Sequence, residues 1–92
     1  MGQFVYRIHA IQRMFERQIQ RSVVEAVVDS GTTIESYPED TPYPSRLVLG
    51  WDRGRPMHVV VADDLEDDET VVTTVYLPDP MRWNASSSRR LQ

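Results

Sequence analysis

Residues 22–37 read SVVEAVVDSGTTIESY, and the hydrophobic period changes inside that stretch. Up to Ser30 the apolar residues Val23, Val24, Ala26, Val27 and Val28 fill a short helix; from Thr32 onward the pattern suits a strand. Ser22 followed by Glu25 has the form of a capping box, with the hydroxyl accepting from the third backbone amide and the glutamate reaching back to the cap. Gly31 stands where a left-handed C-cap belongs. Valine is a poor helix former, so this helix has to be held by packing. A helix that gives way to strands at one glycine marks an α+β chain, and the rest of the sequence is read outward from that boundary.

Upstream, Ile8, Ile11, Met14, Phe15 and Ile19 recur at helical spacing and fall on one side of a helix, which predicts a face for the core. His9, Arg13, Glu16, Arg17 and Gln20 fall on the opposite side, free for water or a ligand. A turn around Gln18–Arg21 makes the two helices a hairpin. Downstream, Thr32–Tyr37 reads as a first strand, and Pro38, Pro42 and Pro44 make the next stretch a rigid loop. Arg46–Trp51 and Pro56–Ala62 flank a turn in which Gly54 supplies a positive φ. On the second of these strands Met57, Val59 and Val61 share one face while His58, Val60 and Ala62 share the other. After the acidic loop Asp63–Glu69 comes a last strand, Thr70–Leu77, closed by Pro78 and Pro80. The expected architecture is α+β: an N-terminal helical hairpin on a roughly four-stranded antiparallel sheet. Residues 1–84 form a single domain and residues 85–92 a flexible tail.

The 92 residues suffice for one domain and contain no cysteine, which removes disulfides and thiolate chemistry. A zinc site would have to draw on His9, His58 and carboxylates, so no metal or other cofactor is expected. No apolar run approaches the roughly 20 residues of a membrane span, and the N-terminus lacks the pattern of a secretory signal. A cytoplasmic location is therefore expected. All ten basic residues are arginine, which suits bidentate contacts to phosphate or carboxylate but equally fits a bias towards GC-rich codons. The net charge of −4 argues against generic nucleic-acid binding. Its distribution is uneven: Arg7, Arg13, Arg17 and Arg21 against Glu16 leave the first 21 residues at +3, while acid collects in the loops.

Two groups of residues have chemistry to offer. His9, Arg13 and Arg17 run at i, i+4, i+8 along the first helix, as a row of cationic donors for an acidic partner or phosphate backbone, or as an ordinary solvated face. Arg46, Arg55, His58 and Tyr76 lie on three strands. If their parity matches, a histidine suited to proton transfer would meet arginines able to stabilise a phosphoryl transition state. The competing reading is a histidine held in the sheet by a backbone partner and a tyrosine that merely packs. The acidic run from Asp63 lacks EF-hand spacing and reads as a solvated hairpin loop. The Tyr37-Pro38 and Tyr43-Pro44 pairs fix how the chain enters and leaves its strands.

The set His9-Ala10, Arg13-Met14, Glu16-Arg17, Tyr43-Pro44, Leu47-Val48-Leu49-Gly50, Arg55-Pro56-Met57-His58-Val59-Val60, Val72-Thr73-Thr74-Val75-Tyr76, Pro78 and Trp83 resembles a bacterial domain-of-unknown-function family grouped with the RelE/ParE toxin superfamily. The resemblance spans about nine-tenths of the chain, from Tyr6 to Trp83. It implies the superfamily's fold, an antitoxin as partner, and metal-independent cleavage of mRNA on the ribosome. It would place Arg46, Arg55, His58 and Tyr76 as catalytic residues, with His9, Arg13 and Arg17 binding RNA or partner. The alternative is a non-catalytic interaction domain whose arginine stripe meets an acidic protein. The acidic, lysine-free composition favours the alternative, and the His58 and Tyr76 pattern favours the enzyme.

Overall fold

The computed structural model describes residues 2–84 and 86–89. Strand β1 (Gln3–Tyr6) leads into helices α1 (Ile8–Arg17) and α2 (Arg21–Ser30), followed by β2 (Thr32–Tyr37), β3 (Ser45–Asp52), β4 (Arg55–Asp64) and β5 (Glu69–Tyr76). The sheet order is β1-β5-β4-β3-β2. Strands β2 to β5 are the expected antiparallel meander, but β1 adds a fifth strand and lies parallel to β5, so the sheet is mixed. Four residues are too few for periodicity to announce a strand; β1 exists because Gln3, Phe4, Val5 and Tyr6 find Glu69, Thr70, Val71 and Val72 beside them.

Only Arg7 separates β1 from α1, and its N–H donates to the Val72 carbonyl at 2.9 Å. So tight a join fixes the rotation of α1. Ala10, with no side chain beyond Cβ, and Met14 face the sheet. Ile8, Ile11 and Phe15, expected in the core, face solvent instead, with Phe15 84% exposed. The helix ends at Gln18, whose φ of 56° and ψ of 42° are left-handed; its N–H closes the last turn onto Met14 and Phe15 carbonyls.

Helix α2 starts two residues earlier than a capping box at Ser22 requires. Its N-cap is Gln20, without a side-chain cap, and Glu25 accepts instead from the Tyr6 hydroxyl at 2.7 Å. Gly31 is extended rather than left-handed. It is a glycine because a Cβ there would run into the carbonyl oxygens of Val27 and Leu49. Gly50 serves the same purpose on β3, where a Cβ would lie 2.7 Å from a Val27 methyl. With both glycines in place, α2 lies close on β3, and Val24 and Val27 share one core with Val48, Met57, Val59, Val61, Val72 and Val75.

A second, smaller core lies on the other side of the sheet. Leu47, Leu49, His58, Ala62 and Val71 are buried there, and the chain after β5 folds back to cover part of this face. Trp83 and Ser87 are buried within that cover. Asn84 knits it: its Oδ1 accepts from the backbone N–H of Ser88 at 3.0 Å and Arg89 at 3.3 Å. Of the segment expected to be a flexible tail, Ser86–Arg89 thus belong to the folded body, whereas residues 85 and 90–92 lie outside the described residues. No described helix is long and apolar enough to cross a membrane.

Candidate functional site: two separated half-sites and an apolar helix face

The strand register decides whether the four sheet residues meet. His58 sits directly opposite Leu49 on β3 and Tyr76 on β5, so these three share a face. Arg46 sits opposite Val61, and Arg55 opposite Asp52, on the face that the helices cover. Side chains alternate along a strand, so the parity condition fails: histidine and tyrosine are on one side, both arginines on the other. The arginines are also remote from each other. Six residues of β4 separate the positions they flank, roughly 20 Å of strand.

His58 is fully buried. Its Nε2 lies 2.7 Å from the Ser87 carbonyl oxygen and its Nδ1 lies 3.1 Å from the Tyr76 hydroxyl. A carbonyl can only accept, so Nε2 carries the proton and donates, which leaves Nδ1 of a neutral ring to accept from Tyr76. Trp83 stands edge-on to the imidazole at 4.3 Å between ring centres, and Tyr76 at 5.1 Å. The ring is screened from solvent. In this arrangement neither nitrogen can take a proton from a substrate.

Arg46 spends its guanidinium within the fold: Nε and Nη2 donate to the Asp63 carboxylate at 3.0 and 3.4 Å, and Nη1 to the Thr33 hydroxyl at 3.3 Å. Arg55 is exposed beside Arg53, Gln18 and Gln20 in a shallow cleft. His9, Arg13 and Arg17 all project to solvent, with a loose 3.7 Å pair between Arg13 and Glu16. Asp64, Asp67 and Glu69 bring carboxylate oxygens within 4.8 Å of one another and are the described residues nearest to a cation site. Asp64 is occupied structurally, accepting from the amides of Glu66 and Asp67 at 3.1 Å. Its carboxylate also raises the Tyr43 hydroxyl above the ordinary phenol pKa.

The profile of the domain of unknown function DUF4258 matches residues 6–77. The chain belongs to that family. No curated protein and no solved structure matches it. The DUF4258 match ends just after β5, so the segment carrying Trp83 and Ser87 over His58 lies beyond it.

Sequence reasoning missed two features of this DUF4258 chain. One is the cover over His58, although a signal existed: β3 and β4 carry apolar residues at both parities, Leu47 and Leu49 beside Val48, and Val60 and Ala62 beside Val59. That pattern belongs to a sheet shielded on both sides. The other is the exposed apolar stripe Ile8, Ile11 and Phe15, which periodicity finds but assigns to the core. Beside it runs a groove of about 400 Å³ walled by Tyr6, Ile11, Met14, Phe15, Ile19 and Arg21. The Arg21 guanidinium stacks over the Tyr6 ring at 4.7 Å and pairs with Glu25 at 3.9 Å, giving the apolar groove a rim of guanidinium and carboxylate.

Proposed function

We propose that this chain is a protein-interaction domain of the cytoplasm that docks a partner on α1, and that it descends from the RelE/ParE-like toxins without depending on His58 for catalysis. One observation carries the proposal: Ile8, Ile11 and Phe15 lie in a row on the solvent side of a helix whose core contacts are made by Ala10 and Met14. Contiguous exposed apolar surface of this kind, beside a groove and cationic side chains, fits a buried interface better than a bare surface. The partner would be an acidic protein segment with an apolar face, the character of an antitoxin tail.

The test is a photo-cross-linking residue at position 15, with one at the equally exposed Met81 as control. The expected result is a discrete protein adduct from position 15 in cells, lost when Ile11 is changed to Asp. Equal adduct patterns from positions 15 and 81 would overturn the proposal.

A second reading, metal-independent ribonuclease, has the direct His58–Tyr76 contact in its favour. It requires the segment through Ser87 to leave the sheet first. RNA cleavage in EDTA, abolished by Tyr76→Phe, would support it; growth unaffected by induced expression would count against it.

A further inference from the structure

On the reading that α1 is a docking face, we propose that its groove accepts the β4–β5 turn of a second copy of this chain. That turn, Leu65–Asp68, carries the single most exposed large apolar residue described, Leu65 at 86%. Around it stand Asp63, Asp64, Glu66, Asp67, Asp68 and Glu69, six acids in seven residues. The region that bears the groove is positive on balance: Arg7, Arg13, Arg17 and Arg21 stand against Glu16 and against Glu25, which pairs with Arg21 at 3.9 Å. An apolar knob in an acidic collar matches an apolar groove on a helix region of net positive charge, and both belong to one molecule in equal number.

The turn is also built to hold its shape before contact. Buried Asp64 accepts from two successive amides of the turn, and Asp68 takes the left-handed φ of 52° that closes it. Ordering costs are therefore met in the free chain, which favours association. The two patches differ, so the contact is heterologous: two copies can exchange turns reciprocally or add head to tail. Opposite charge across the contact speeds encounter and weakens as salt screens it.

Sedimentation of the full chain from micromolar to millimolar concentration tests this. The expected result is a concentration-dependent larger species that recedes at high salt. Leu65→Asp and Phe15→Asp each abolish it, while circular dichroism stays unchanged because both side chains are on the surface. Mixing the two variants restores a one-to-one complex, since each retains the half that the other lacks. Leu65→Asp associating like the wild type, or a mixture without complementation, would overturn the proposal. So would a wild-type chain monomeric throughout. In that event a position-15 adduct with a different protein preserves the docking face alone, and no adduct removes both.

Discussion

The imidazole of His58 is gripped by Tyr76 on one side and the Ser87 carbonyl on the other, with Trp83 against its edge. A residue so placed contributes to stability whether or not it has any chemistry. His58→Ala removes a fully buried ring and strands the Ser87 carbonyl, and should cost about 2–4 kcal/mol in urea unfolding. An unchanged midpoint would contradict the packing described. Tyr6 gives a pH-dependent counterpart. Burial first, and then the hydrogen bond to Glu25, hold its phenol well above the ordinary value. The protonated form is thus favoured in the fold, so its contribution is complete below the unfolded pKa of about 10 and disappears as pH rises beyond it. Tyr6→Phe should lower stability at neutral pH by about 1–2 kcal/mol and flatten the alkaline decline. Denaturant midpoints taken between neutral pH and pH 11 decide it; an equally steep alkaline loss in the variant would refute the assignment.

Between α2 and β3 the governing feature is close approach. A Cβ on Gly50 would press on the γ-methyls and Cβ of Val27, a β-branched side chain with little freedom to turn away. Gly50→Ala should therefore cost about 1–3 kcal/mol. Val27→Ala costs about 2 kcal/mol through lost burial. The double variant should be more stable than the two losses added together, because one change vacates the space that the other fills. Strict additivity in a denaturation cycle would show the contact to be absent. The same elements show what the sequence could reveal. The two helices, the meander β2–β5 and the face of Met57, Val59 and Val61 were legible, because long periodic runs encode them. β1 was not, since four residues acquire strand geometry only from β5. The rotation of α1 was not either, since the Arg7–Val72 hydrogen bond sets it and periodicity knows nothing of that constraint. Of the candidate site, the sequence placed His58 and Tyr76 on neighbouring strands but left open whether they share a face. The separation of the arginines depended on register, and a register is fixed by the whole sheet.

The sheet lies between two unequal covers: the helical hairpin, and the described residues after β5 that bring Trp83 and Ser87 onto His58. Deleting residues 81–92 should lower the unfolding midpoint and open His58 to diethyl pyrocarbonate, which in the intact chain reaches exposed His9 but not His58. His58 modified equally fast in both forms, read by peptide mapping apart from His9, would mean that the segment does not shield it. If RNA cleavage appeared only in the shortened chain, the ribonuclease reading would gain ground over the interaction domain.

The parallel pairing of β1 with β5 has a temporal consequence. Gln3 and its neighbour Glu69 stand 66 residues apart along the chain, the longest loop that any strand pair here must close. During synthesis β1 emerges well before its partner, and must wait until β5 has been made. Until it docks, α1 lacks its β1 anchor and is held by the covalent link to α2 and by the packing of Ala10 and Met14.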